Sequence, residues 1–182
     1  MTALPAALQP GTYTIDPSHS EIGFTARHAM VTKVRGRFAD VAGTLTIGSD
    51  VESSGAEAVV QVASVTTGNT DRDAHVRGAD FFDTDAFPTM TFRSTGVRAD
   101  GEDYVLDGEL TIKDVTKPIS LQVEFGGAAT DPFNNARAGF SGQTQVEREE
   151  FGLTWNAALE TGGVLVSKKV TLQLDVSAIQ QN

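Results

Sequence analysis

Asp103-Tyr-Val-Leu-Asp-Gly-Glu-Leu-Thr-Ile112 and Val115-Thr-Lys-Pro-Ile-Ser-Leu-Gln-Val-Glu-Phe125 decide the fold. Tyr104, Leu106, Gly108, Leu110 and Ile112 occupy alternate positions of the first segment, and Ile119, Leu121, Val123 and Phe125 do so in the second. A period of two marks half-buried strands, because successive side chains leave a pleated backbone on opposite sides. Lys113-Asp114 joins the two as a tight turn, which makes them antiparallel neighbours.

The pattern extends in both directions. Upstream, Met90 and Phe92 share a face, and Asp100-Gly101 supplies the next turn. Downstream, Ala136 to Arg148 carries Ala138, Phe140, Thr144, Val146 and Arg148 on one face. Phe151, Leu153 and Trp155 continue that period, and the last strand carries Val170, Leu172, Leu174 and Val176. Near the N-terminus, Tyr13 and Ile15 precede the turn Asp16-Pro17-Ser18. Ile22, Phe24, Ala26 and His28 then face opposite to Glu21, Gly23, Thr25 and Arg27, which directs His28 inward. Met30 to Arg35 has no clear period, and Arg37 to Ile47 reads as a strand with an irregularity near Gly43. Ser54 to Thr67, rich in Val and Thr, reads as one strand covered on both faces.

One helix interrupts the strands. Asn69 is placed to cap Thr70 to Arg77, with Asp71 and Asp73 at the positive end of the dipole, Gly78 as its stop and an Asp73–Arg77 pair along it. Phe81-Phe82 and Phe87-Pro88 form an aromatic loop expected to cover one barrel end. Eight or nine strands with short connections fit a closed antiparallel barrel, whose interior is either filled or able to hold a slender apolar ligand.

The 182 residues suit a single domain, 1–182, and lack the long apolar run of a membrane-spanning helix. The net charge of −10, from 14 Lys and Arg against 24 Asp and Glu, opposes binding to nucleic acid or an anionic lipid surface. The absence of Cys excludes disulfides, a thiolate nucleophile and Cys-ligated metals. Met1 to Pro10 lacks a basic leader region and a long apolar core, so a cytoplasmic location is expected. His19, His28 and His75 show no metal-ligand spacing, and no Gly-rich phosphate loop is present. Asp16, Ser18, His19 and Ser20 suggest hydrolytic chemistry at first sight, but without a G-x-S-x-G turn they read as turn chemistry.

Several segments, in order, resemble the YceI-like family of polyisoprenoid-binding, lipocalin-like barrel proteins. They are Tyr13-Thr-Ile15-Asp16-Pro-Ser-His19-Ser20-Glu-Ile22-Gly-Phe24, His28, Val34-Arg-Gly36-Arg-Phe38, Thr67-Gly-Asn69-Thr-Asp-Arg72-Asp73-Ala-His75, Phe81-Phe82 with Phe87-Pro88, Gly108 to Pro118, and Arg148-Glu-Glu-Phe151-Gly152-Leu153. Val76 stands where Leu is frequent in the family. The resemblance implies an all-β, eight-stranded antiparallel lipocalin-like barrel with one short helix after the fourth strand. It further implies an elongated apolar tunnel for an isoprenoid lipid or long-tailed quinone, no required cofactor, and a homodimer.

On that basis Ile22, Phe24, Met90, Phe92, Leu106, Leu110, Val123, Phe125, Phe140 and Trp155 are expected to contribute to the tunnel, with Ala26, Gly108, Ala138 and Gly142 leaving space. His28 is the first candidate for a ligand head group, against a structural histidine bound to a carbonyl or carboxylate. Arg148 is the second, against a carboxylate-paired cation or one that snorkels into water. Function follows as binding, storage or carriage of an apolar lipid, with no stable membrane insertion. The alternatives are an enzyme acting on a lipid-soluble compound through His28 and a filled-core interaction domain.

Overall fold

The structure is a computed structural model that describes Met1–Asn182. Its strands are β1 (Gly11–Ile15), β2 (Glu21–His28), β3 (Thr32–Phe38), β4 (Val41–Ile47), β5 (Gly55–Gln61), β6 (Val65–Thr66), β7 (Thr89–Asp100), β8 (Asp103–Ile112), β9 (Val115–Thr130), β10 (Ala136–Glu147) and β11 (Lys169–Gln180). The order β1-β4-β5-β7-β8-β9-β10-β11, closed by pairing of β11 with β1, makes an eight-stranded antiparallel barrel. β2, β3 and β6 branch from it as an arm. β11 serves both parts, pairing Ala178 with Ile15 and Thr171 with Thr25.

The helix α1 spans Thr70–Arg77, and Asn69 caps it by accepting from the Arg72 amide at 2.9 Å. It follows the sixth strand, not the fourth, because two stretches expected to be continuous turn corners. Arg37 to Ile47 breaks at Ala39-Asp40, where the Asp40 amide donates to Ser64 Oγ and its carbonyl accepts from the Gln61 amide. Ser54 to Thr67 breaks at a 3-10 turn, Val62–Ser64, which sends β6 out of the barrel to pair with Arg37 and Phe38. Met30 to Arg35 belongs to the β2–β3 hairpin. Asp73 accepts from the Thr67 amide and hydroxyl, both at 2.6 Å, rather than pairing with Arg77, which donates to the Ala63 and Val65 carbonyls.

Gly43 introduces no irregularity. It pairs in register with Ala58, and a Cβ there would strike the Glu57 carbonyl and Ile15. The register shifts instead at Ser94/Gly96 and at Gly139/Phe140. After β10, residues Arg148–Phe151 form a 3-10 turn ended by Gly152 at φ 80°, so Trp155 lies in a loop and not on a strand.

The two barrel ends differ. At the end where β4 begins and β8 finishes, Phe81, Phe82, Phe151 and Leu153 are buried in the core. Phe82 meets Phe38 edge-on at 5.7 Å, and Trp155 closes on His75 at 4.7 Å and on Phe81 at 5.5 Å. That end is solid. At the opposite end, where β4 finishes and β8 begins, the strap Met1–Pro10 crosses the opening and turns Leu4, Pro5 and Leu8 inward.

Candidate ligand cavity

Beneath the strap lies a cavity of about 150 Å³, with 19 of its 23 lining residues hydrophobic. Strand alternation builds its walls. Leu45 of β4 pairs with Ala56 of β5, and Tyr104 and Leu106 of β8 pair with Val123 and Leu121 of β9, with Ile47 and Ala58 lining the same space. Gly55, with no side chain, and Ala56 and Ala58, with one methyl each, take up little room on the β5 wall. Ser54, Glu57 and Tyr104 are its polar members, Glu57 lying at the rim in a 3.7 Å contact with Arg93.

Six of the expected residues meet here: Ile22, Phe92, Leu106, Val123, Phe125 and Phe140. Phe125 and Phe140 pack ring to ring at 5.4 Å across the bulge between β9 and β10. The others lie elsewhere. Met90 and Leu110 are buried in the filled half of the core. The Phe24 ring sits over Gly36, and the Phe92 ring over Gly108, so Gly108 houses an aromatic ring rather than leaving space. Trp155 caps the solid end.

His28 is exposed at the end of β2, outside the cavity, where the arm has already left the barrel. The alternation was right along Ile22 and Phe24, but it had no interior left to point into at His28. Arg148 is buried, 5% exposed, and neither pairs with a carboxylate nor reaches solvent. Its Nε donates to the Ser167 carbonyl at 2.8 Å, Nη1 to those of Leu153 at 2.6 Å and Trp155 at 3.0 Å, and Nη2 to that of Val166 at 3.2 Å. It ties residues 153–167 into a single loop. Burial pushes its guanidinium pKa down, countered in part by Glu149.

Leu4, Pro5 and Leu8 were missed. Leu4 and Leu8 share one side of a single turn, Leu8 N donating to the Pro5 carbonyl at 2.9 Å, and that four-residue apolar spacing was their signal. Asp16, Ser18 and His19 do assemble, but Ser18 Oγ and Asp16 Oδ2 contact the same ring nitrogen, His19 Nδ1, at 3.0 and 2.8 Å. A catalytic triad needs the two partners on opposite nitrogens. Asp16 is instead one of two carboxylates gripped by Arg137, at 2.8 Å, with Asp131 at 2.7 Å. The Ser18 hydroxyl and then Arg137 hold Asp16, and Arg137 above all holds Asp131, far below the usual carboxylate range. No group of three His, Asp or Glu side chains is placed to hold a metal ion.

The family model of the YceI-like domain matches residues 13–178. Protein YceI of Escherichia coli O6:H1 is 34% identical over 174 residues, covering 93% of this chain and 87% of that protein. The crystal structure of Burkholderia cenocepacia BcnA superposes with a TM-score of 0.78 at 21% identity, covering 90% of this chain and 98% of that one. A polyisoprenoid binding domain from Saccharophagus degradans, implicated in plant cell wall breakdown, superposes with a TM-score of 0.69 at 16% identity, covering 95% and 100%. With the family signature running through nearly all of the barrel, from Tyr13 in β1 to Ala178 in β11, the chain belongs to the YceI-like family.

Proposed function

We propose that this protein binds an isoprenoid lipid, carrying or storing it without chemical change. The observation that carries the reading is the strapped cavity, whose walls offer almost nothing but hydrocarbon. Transfer of a prenyl chain from water into such a space gains about 0.8 kcal/mol per buried methylene. The family membership and the polyisoprenoid-binding neighbour support the same ligand class.

The size of the cavity sets the binding mode. A dry apolar cavity of about 150 Å³ accommodates a benzene-sized guest, so the present space takes roughly one isoprene unit. A longer tail extends by displacing Leu4, Pro5 and Leu8 from the opening, while the aromatic plug stops it at the other end. Recognition therefore rests on shape and apolar area, and neither His28 nor Arg148 is positioned to read the head group.

The test is native mass spectrometry with solvent extraction of the purified protein, followed by titration with prenylated quinones of graded tail length. An extractable isoprenoid, or saturable quinone binding that strengthens with the first isoprene units, is the expected result. A barrel that is always empty and takes up no quinone overturns the proposal.

A further inference from the structure

The β2–β3 hairpin carries charge of the opposite sign to the rest of the molecule. Between Glu21 and Asp40 there is no carboxylate, while Arg27, Lys33, Arg35 and Arg37 all fall there, in a chain of net charge −10. Lys33 stands directly across from Arg27, and none of the four makes an ion pair. Like charges facing each other across a strand pair destabilise it. Arg27, Lys33, Arg35 and Lys169 share a concave outer face that contains no acidic residue.

The tip of the hairpin adds a second, independent feature. Met30 and Val31 are 64% and 75% exposed, two of the five large hydrophobic side chains left exposed in the molecule, and they are adjacent. The turn is closed by the Val31 amide donating to the His28 carbonyl at 3.1 Å, with Ala29 and Met30 at φ 52° and 62°. Both central positions are left-handed, where Asn and Gly are favoured. Met30 lays its thioether against Gly163, yet it keeps most of an apolar side chain at the surface from a position that costs backbone strain.

We propose that this hairpin docks the protein peripherally on an anionic lipid bilayer, with Met30 and Val31 entering the head-group region and the flanking cations lying at the phosphates. Basic residues behind an apolar tip match the layering of an interface, where each cation and each buried apolar group adds to binding. A soluble polyanion would use the cations alone and leave the tip unexplained. The hairpin projects from the plugged end of the barrel, so docking is separate from the cavity and does not rest on its ligand.

Sedimentation of the full chain with phosphatidylcholine vesicles, with and without about 30% phosphatidylglycerol, tests this at low and high salt. Binding is expected only to the anionic vesicles, falling as salt rises. K33Q and R35Q should each weaken it about fivefold, and M30S/V31S roughly tenfold with charge unchanged. Because the cations repel one another, K33Q and R35Q should melt no lower than the parent, which separates lost docking from lost folding. Absence of binding to anionic vesicles overturns the proposal. So does vesicle binding that M30S/V31S leaves intact, or a heparin competition as strong for M30S/V31S as for the parent, since either marks a plain polyanion site.

Discussion

Thr2 grips both oxygens of a carboxylate 50 residues away: its amide donates to Glu52 Oε2 at 2.8 Å and its hydroxyl to Oε1 at 2.6 Å. The Val51 amide returns a bond to the Thr2 carbonyl at 2.9 Å. This clasp holds Leu4, Pro5 and Leu8 over the cavity. E52A is expected to speed uptake of N-phenyl-1-naphthylamine by about threefold or more in stopped-flow fluorescence, with little change in global stability, because exposed bonds contribute modestly. An unchanged rate would show that the strap does not gate access.

The same clasp has a pH signature. The Thr2 hydroxyl, and then its amide, lower the Glu52 pKa from 4.5 to about 2. A depressed carboxylate stabilises the clasped state above its unfolded pKa and loses that contribution as pH falls through the folded one. Uptake should therefore accelerate between pH 4.5 and about 2 in the parent, and show no such rise in E52A.

Ala58 faces Phe92 across the β5–β7 pair and lines the cavity. A58L fills part of the space with atoms a ligand would otherwise provide. Apolar uptake should drop about tenfold or more, while the free energy of urea unfolding changes by no more than about 3 kcal/mol in either direction. Equal binding by A58L would place the ligand outside this cavity.

The barrel was legible because its signal is local. Alternation in β8 and β9 survives in any register, and the cap at Asn69 needs only its own next three residues. What escaped was set by long-range geometry. His28 obeys the same alternation as Ile22, but whether an inward direction leads to an interior depends on where β2 parts from β11. Arg148 looked like a cation in need of an acid, whereas four carbonyls brought together by the 153–167 loop satisfy it. Gly108, read as vacant space, is the floor for the Phe92 ring, a relation between strands that no single strand displays.

That relation can be measured. A Cβ at Gly108 would overlap the Phe92 ring and one at Gly36 the Phe24 ring, while nothing lies within 4 Å of a Cβ at Gly96. G108A and G36A should each cost about 1–3 kcal/mol in urea unfolding, since the ring must leave its seat. G96A should fall within about 0.5 kcal/mol of the parent. G108A should also reduce ligand uptake, because the displaced Phe92 ring borders the cavity and Phe24 does not. Similar behaviour of all three variants would mean that the effect is backbone entropy and not ring packing.

Arg148 gives the sharpest stability prediction. R148M keeps the apolar stem but removes every donor that reaches the carbonyls of Leu153, Trp155, Val166 and Ser167. Buried acceptors stranded in this way cost about 1–3 kcal/mol each when water cannot reach them. Asn156 still donates to the Val166 carbonyl at 2.7 Å, so the total should settle near about 3 kcal/mol as the loop opens to solvent. Hydrogen exchange should quicken at the Leu153 and Val166 amides while that of β8 and β9 stays slow, because the barrel wall does not depend on the loop. R148K, with one charged nitrogen in place of a planar fork, should fall between the two. If R148M exchanged like the parent across residues 153–167, the guanidinium would not be what organises the loop.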